Sequence, residues 1–231
     1  MDEPLVSVVI PVYNGECYLA SALQSIFEQD YHPFEIIVVD DGSDDDTAKI
    51  ARSFREIRYI YQSNQGAAAA RNAGVGAARG ELIAFLDADD IWVPNKLSAQ
   101  TDYLLKHPEV GYVVARARNF LESETHFPTW LPDELLVKGA QFLPSTLVVR
   151  KTVFYQVGEF DRSYVVGEDT DWFFRASDAG VQGFIVPEML LYRRVHDSNL
   201  SSHMQVHPRE LLLNIARRSV GRRRHQEMKN E

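Results

Sequence analysis

Along the first ninety positions apolar residues come in short blocks, and each block ends in polar or acidic residues. Residues 5–12 are apolar and rich in β-branched side chains, the pattern of a strand buried on both faces. Pro11 near its end removes a backbone donor, so the strand is expected to stop there. Tyr13-Asn14-Gly15 then reads as a turn. Over residues 16–29 the apolar positions Leu19, Leu23, Ile26 and Phe27 shift to helical spacing. The alternation continues. A strand is predicted at 34–39, a helix from about residue 44 to 54 capped by Ser43 or Asp44, a strand at 57–61, an alanine-rich helix at 65–78 and a strand at 82–86. Four strands alternating with three helices predict an α/β fold with a parallel sheet of βαβ units. In such sheets ligands bind beyond the carboxyl ends of the strands. Residues 11–14, 40–43, 62–65 and 87–90 are therefore expected to ring one crevice.

The second half is less regular. A helix is predicted at 94–107 with Pro94 in its first turn, a strand at 110–115, a strand at 146–150, and a short helix at 151–157 stopped by Gly158. Residues 116–140 hold Pro128, Trp130 and Pro132 with no clear period, the pattern of a long functional or mobile loop. Gly167-Glu168-Asp169-Thr170-Asp171-Trp172 is an acidic cluster leading into an amphipathic helix at 172–179 closed by Gly180. A strand at 183–195 runs directly into His196. The glycine-rich stretch Gly74 to Gly80 looks like a dinucleotide loop. A phosphate-cradling loop should follow a strand and open a helix; this one closes a helix and precedes a strand, so a helix C-cap and turn is expected.

Composition narrows the classes. A hydrophobic fraction of 45% over 231 residues is that of a globular protein with a sizeable core. The net charge of −9 argues against nucleic acid as the main partner. Cys17 is the single cysteine, which excludes an intrachain disulfide and a cysteine zinc cluster. The start is acidic with only a short apolar run, unlike a secretory signal, and no run approaches the length of a membrane span. A soluble, cytoplasmic protein is expected.

The candidate chemistry lies first in Asp87, Asp89 and Asp90, three carboxylates within four positions at a strand end. Such charges repel unless something positive sits among them. Mg²⁺ and Mn²⁺ take oxygen ligands, often one or two carboxylates plus substrate phosphates. Asp87-x-Asp89 thus suggests a metal that holds a phosphorylated substrate; the alternative is that the acids cap the next helix and face water. The expected crevice favours the metal.

Six segments in order resemble the inverting, nucleotide-sugar-dependent glycosyltransferases of family 2, which have the GT-A fold. They are Ile10-Pro11-Val12-Tyr13-Asn14, Val38-Val39-Asp40-Asp41-Gly42-Ser43, Asn64-Gln65-Gly66 through Ala70-Arg71-Asn72-Ala73-Gly74, Phe85-Leu86-Asp87-Ala88-Asp89-Asp90, Gly167-Glu168-Asp169 with Asp171-Trp172, and Tyr192-Arg193 with His196. The resemblance implies a Rossmann-like, mostly parallel sheet flanked by helices in one domain over residues 1–205. A nucleotide-binding half would occupy 5–107 and a smaller acceptor-side half 108–205. It implies that Pro11, Val12, Tyr13, Asn14, Asp41, Arg71, Asp87 and Ala88 bind the donor nucleotide. Tyr13 would stack on the base, Asp41 would accept its imide N–H, which favours uracil or thymine, Arg71 would help hold the base, and Asp87 would approach the ribose. Asp89 and His196 would hold Mn²⁺ or Mg²⁺, with a structural surface histidine as the alternative for His196. Asp169 would be the general base, its pKa raised by Glu168 and Asp171; the alternative is that these acids only favour a helix N-terminus. Residues 139–145 match a segment near donor sugar and acceptor, without a catalytic residue.

The implied partners are a UDP- or dTDP-sugar donor and a sugar, glycan or lipid-linked acceptor. A nucleotide-sugar-binding module without catalysis and a sugar-phosphate nucleotidyltransferase are the competing readings. The latter wants a glycine-rich basic loop after the first strand, where this chain has no Lys or Arg. The tail, 206–231, places Leu211, Leu212, Ile215 and Ala216 on one side of a basic helix. That helix could lie on an anionic membrane face or pack its leucines on the domain.

Overall fold

The computed structural model describes residues 3–121, 142–196, 199 and 208–230. Strand β1 (Val6–Val12) is buried along its whole length. Val6, Val8, Ile10 and Val12 pack into one core with Leu19, Leu23 and Ile26 of helix α1 (Leu19–Phe27). Val9 points the other way and packs with Ile37, Val39, Ala68 and Ala70. Successive strand side chains alternate between faces, so a strand that is apolar at every position must be covered on both.

Strands β2 (Phe34–Asp40), β3 (Ile57–Tyr61) and β4 (Leu82–Phe85) join β1 in parallel, in the order β3-β2-β1-β4. Helices α2 (Thr47–Ser53) and α3 (Ala67–Ala77) make the crossovers. The alanines and glycines of α3 let it approach the sheet closely. A Cβ at Gly74 would come within 2.2 Å of a Val9 methyl. Gly74 therefore serves the packing of α3, Gly76 lies inside the same helix facing open space, and the helix ends at Ala77 rather than in a glycine cap.

The second half extends the same sheet. Strand β5 (Ile91–Trp92), helix α4 (Lys96–Lys106) and strand β6 (Val110–Leu121) are followed by a 3-10 turn at Pro144–Thr146, strand β7 (Val148–Arg150) and helix α5 (Lys151–Val157). Helix α6 (Glu168–Asp178), strand β8 (Gln182–Val195) and helix α7 (Pro208–Asn230) complete the described chain. The strand order is β3-β2-β1-β4-β7-β6-β8-β5. β7 is antiparallel to β4 and β6, β8 is parallel to β6, and β5 is antiparallel to β8. The sheet is mixed and mostly parallel.

Three expected boundaries shift for local reasons. α2 starts at Thr47 because Asp45 accepts the Thr47 N–H (2.9 Å) and its other oxygen accepts that of Glu16 (2.9 Å), which holds residues 43–46 as a loop. α6 starts at Glu168, so the acidic cluster is the first turn of the helix. β6 runs to Leu121, into the stretch expected to be a loop; most of that stretch, 122–141, lies outside the described residues. The strand β5 was not signalled by any periodicity.

Helix α7 packs lengthwise on α6. Ile215 and Ser219 are fully buried, and Leu211 faces Gly167. Ser219 Oγ donates to Asp178 (2.6 Å), and Arg222 (2.9 Å) and Arg223 (3.0 Å) pair with the same carboxylate. Of the apolar side expected from the sequence, Leu211 and Ile215 turn inward while Leu212 is half exposed.

Candidate active site at the carboxyl ends of the strands

The first two strand ends are laced together by side chains. Asp41 N–H donates to Val12 O (2.8 Å), the Asn14 N–H to Ser43 Oγ (2.9 Å), the Asp44 N–H to Asn14 Oδ1 (3.0 Å), and the Gly15 N–H to Thr47 Oγ1 (2.8 Å). Asn14 sits in the left-handed region, φ 50°, which asparagine tolerates better than most residues. Pro11 and Val12 are buried beneath this loop, and the Tyr13 ring projects from it, 55% exposed. Ala88, at the end of β4, packs beside Gly15.

Asp41 is almost fully buried. Its Oδ1 accepts Gln62 Nε2 (2.7 Å) and the Gln65 N–H (2.9 Å), and its Oδ2 accepts the Gly66 N–H (2.7 Å). One carboxylate thus fixes the loop that leads from β3 into α3. A carboxylate offers about four acceptor sites, so Oδ2 retains capacity for a ligand N–H.

Arg71, on α3, reaches the third strand end. Its guanidinium donates to Asp87 Oδ1 (2.7 Å) through Nη2 and to Glu168 Oε1 (2.5 Å) through Nη1. The side chain is 6% exposed. The first acidic cluster and the second are therefore joined by one buried cation, although the sequence separates Arg71 from Glu168 by 97 positions. The planar fork of arginine suits two carboxylates at once.

At the fourth end, Asp89 Oδ2 lies 3.0 Å from His196 Nε2 and accepts Asn199 Nδ2 (2.9 Å). The β5–β8 ladder, Ile91 with Tyr192 and Trp92 with Leu191, brings the two segments together. Arg194 tightens the join: its N–H donates to Asp90 Oδ1 (3.1 Å) and its Nε to Asp89 O (3.0 Å). Asp90 is buried, and burial pushes its carboxyl well above the usual range, with Asp89 and Asp87 adding to the shift. Ser145, in the 3-10 turn, accepts the Asp87 N–H on Oγ (3.0 Å), and its backbone O accepts Trp92 Nε1 (2.9 Å).

These residues fit a divalent cation. An oxygen and a nitrogen 3.0 Å apart match neighbouring corners of an octahedron with bonds of about 2.1 Å. Asp89 and His196 would hold the ion, the remaining positions falling to phosphate and water. Among the described residues no group of three or more His, Cys, Asp and Glu side chains gathers as a metal site, so the two side chains would rely on substrate phosphates and water for the rest of the ion's shell.

Asp169 stands in the first turn of α6, half-buried, with Oδ1 accepting the Thr170 N–H (2.6 Å). Burial, and then the adjacent Glu168 carboxylate, raise its pKa from 3.8 to about 6, against the pull of Arg71. Asp171, the other acid expected to act on it, is turned away: it is buried and paired with Arg175 (2.6 Å). The neighbours that matter are Glu168, Arg71 and Asp87.

The structure thus gathers all the expected site residues at one end of the sheet. Glu168 as the partner of Arg71, Ser145 and Asn199 were not singled out as site residues from sequence. A lone serine or asparagine in a loop carries no pattern; the short spacing from His196 to Asn199 was the only available cue.

Residues 7–165 match the family model described as Glycosyl transferase family 2. The chain belongs to that family. An uncharacterized glycosyltransferase of Rickettsia typhi is 33% identical over 213 residues, which cover 86% of this chain and 66% of that protein. Across the curated relatives it matches, the chain spans between about a third and two thirds of their length. The crystal structure of S. aureus TarS 1-349 in complex with UDP-GlcNAc superimposes with a TM-score of 0.76 at 21% identity, over 94% of this chain and 66% of that one. The mannosyltransferase PcManGT from Pyrobaculum calidifontis, in complex with GDP-Man and Mn²⁺, gives 0.69 at 20% identity, over 87% and 59%. The fold is GT-A, as the sequence resemblance implied.

Proposed function

We propose that the chain is an inverting glycosyltransferase that moves a sugar from a UDP- or dTDP-sugar to an acceptor hydroxyl, in polysaccharide or glycoconjugate synthesis. The observation that carries this reading is the meeting of the two acidic clusters across Arg71. It supports a role for Asp169, whose pKa is raised and which follows Glu168 in the helix that Arg71 ties to the donor-side acid Asp87. Asp41 reads the pyrimidine edge through its remaining Oδ2 capacity, and the exposed Tyr13 ring stacks on the base. Pro11, Val12, Asn14 and Ala88 line the nucleotide site, and Asp87 meets the ribose or donor sugar. Arg71 then acts through Asp87 and Glu168 rather than on the base itself.

Asp89 and His196 would hold Mn²⁺ or Mg²⁺. When bound, the ion supplies Lewis-acid stabilisation of the departing diphosphate. Asp169 takes the proton of the acceptor hydroxyl as its oxygen forms the bond to the anomeric carbon and the bond to the diphosphate oxygen breaks. One base on the face opposite the leaving group gives inversion.

The loop after β1 argues against a nucleotidyltransferase. The N–H groups of Asn14, Gly15 and Glu16 already donate to Ser43, Thr47 and Asp45, so they are not presented to a triphosphate. A cytoplasmic location is proposed with it; among the described residues no helix is long and apolar enough to cross a membrane. The outward side of α7, with Leu212, Leu213 and Val220 half exposed beside Arg217 and Arg224, supports peripheral contact with an anionic membrane face. We take residues 1–205 as the catalytic domain and 206–231 as a tail docked on it.

The test is a thermal-shift screen of UDP, dTDP, GDP and CDP with and without Mn²⁺. A ligand at a hundredfold excess over its Kd stabilises by about 2.7 kcal/mol. A shift with UDP or dTDP that grows with Mn²⁺ is expected, followed by slow release of free sugar from the matching donor. Stabilisation by GDP alone would overturn the base assignment. Binding without any turnover would favour the non-catalytic module.

A further inference from the structure

Asn199 was not read as a site residue, yet it makes a triangle with the two atoms assigned to the metal. Its Nδ2 is 2.9 Å from Asp89 Oδ2 and 3.0 Å from His196 Nε2, and those two atoms are 3.0 Å apart. The orientation of the amide is fixed from its other end. The His196 N–H donates to Asn199 Oδ1 (2.8 Å), which only an oxygen can accept, so the NH₂ group must face Asp89 and His196. Asn199 is almost fully buried, and its N–H in turn donates to His196 O (3.2 Å). Residues 196 and 199 therefore form one rigid bracket.

An amide NH₂ has two hydrogens and no lone pair to offer. It donates to Asp89 Oδ2 at 2.9 Å, and it also lies within reach of His196 Nε2 at 3.0 Å and Arg194 O at 3.4 Å. Through Nδ2 Asn199 holds the Asp89 carboxylate, and through Oδ1 it holds the backbone of His196. The Asp89 oxygen and the His196 nitrogen are thereby kept side by side. The arrangement resembles the outer hydrogen bonds that orient metal-binding histidines elsewhere, except that here the outer group touches the ligating atoms themselves.

We infer that Asn199 is a positioning residue for the cation, one that presets Asp89 and His196 as a ligand pair before the ion arrives. This rests on the assignment of Asp89 and His196 to the metal. Asn199 does not touch substrate and takes no proton.

The experiment is a titration of the full chain with Mn²⁺ alone, read by the electron paramagnetic resonance signal of free aqueous Mn²⁺, and then repeated with saturating UDP. Asn199→Ala removes both donors; Asn199→Leu removes them while keeping the volume filled. Removal of an outer hydrogen-bonding partner typically lowers metal affinity tenfold to a hundredfold, and a loss of that size is expected in both variants. Both variants also remove the Oδ1 acceptor of the buried His196 N–H, so a lower melting temperature is expected in both; metal-free UDP affinity, measured well below it, should stay at the wild-type value, which a general collapse of the site would not allow. Mn²⁺ affinities within twofold of wild type in a folded variant overturn the inference. So does a loss of metal-free UDP affinity as large as the loss of Mn²⁺ affinity. If wild type itself binds no Mn²⁺, and Asp89→Ala changes nothing, it is the metal assignment that fails. Should Asn199→Ala not fold, Asn199→Leu gives the same reading.

Discussion

Asp89 and His196 are 107 positions apart in the chain, and Asp89 Oδ2 lies 3.0 Å from His196 Nε2. The strand that joins them, β5, is two residues long. Its pairing with β8 turns the end of the first half of the sheet back onto the end of the second. Replacing Asp89 by Ala is expected to abolish the gain in UDP affinity that Mn²⁺ gives, while metal-free UDP affinity changes less than twofold. Calorimetry with Mn²⁺ and with a chelator measures both. A persisting metal-dependent gain would move the ion elsewhere.

Asp41→Ala should weaken UDP binding and also cost stability. The carboxylate accepts from Gln62, Gln65 and Gly66, and two of those donors are backbone N–H groups that lose their partner. Hydrogen bonds to charged groups are worth roughly 1.5–3 kcal/mol each. Partial rescue by water leaves a net loss of about 2–4 kcal/mol, a Tm decrease of roughly 5–15 °C. Unchanged UDP affinity, measured well below the lowered Tm, would remove Asp41 from base recognition.

Arg71→Met should leave Asp87 and Glu168 as uncompensated partners in a buried site. Breaking a buried ion pair from one side costs about 3–5 kcal/mol, and urea denaturation should show a loss of that order. Arg71→Lys is expected to recover only part of it, because a single ammonium cannot reproduce the two-armed fork. Full recovery with lysine would mean that charge alone matters.

Asp169→Asn should lower the transfer rate roughly a hundredfold to ten-thousandfold with UDP and metal affinity unchanged. The pKa of about 6 sets the pH dependence. The base must be ionised, so the wild-type rate should fall as pH drops through 6 and level off above about 7. The stability effect has the opposite sense. A carboxyl whose pKa is raised on folding binds its proton more tightly in the folded state. Its contribution is therefore full below the unfolded pKa near 3.8 and is lost as pH rises through 6. At pH 7 the Asn variant should melt no lower than wild type. A variant that melts lower but turns over normally would reduce Asp169 to a helix-start residue.

Gly167→Ala probes the grip of α7 on the base. Gly167 has φ 94° and precedes Glu168 directly, and an added Cβ would meet Leu211 Cδ2 at 2.7 Å. The left-handed backbone costs a non-glycine residue roughly 1–2 kcal/mol, and the collision must push α7 or the first turn of α6 aside. A fall in kcat at near-constant UDP affinity is expected. Trimming the neighbour as well, in Gly167→Ala with Leu211→Ala, should return part of the rate; no recovery would mean that backbone strain alone is responsible.

The sequence by itself determined the alternating strands and helices of the first half and the end of the sheet that matters. Apolar runs at 5–12, 34–39 and 82–86 could only be strands covered on both faces, and each gave way to polar residues where it met solvent. Those ends carry Tyr13, Asn14, Asp41, Asp87 and Asp89, so half of the candidate site was legible from local pattern plus the geometry of a parallel sheet. The tertiary structure alone decided how the second half meets the first. A two-residue strand has no period to read, and β5 is what brings His196 and Asn199 to Asp89. The partnership of Arg71 with both Asp87 and Glu168 depends on where α3 and α6 come to lie, and helix packing is set by side chains distributed along the whole chain. The fate of the basic tail was decided the same way. Arg222 and Arg223 face buried Asp178 because α7 lies along α6, a contact between surfaces that neither helix encodes alone.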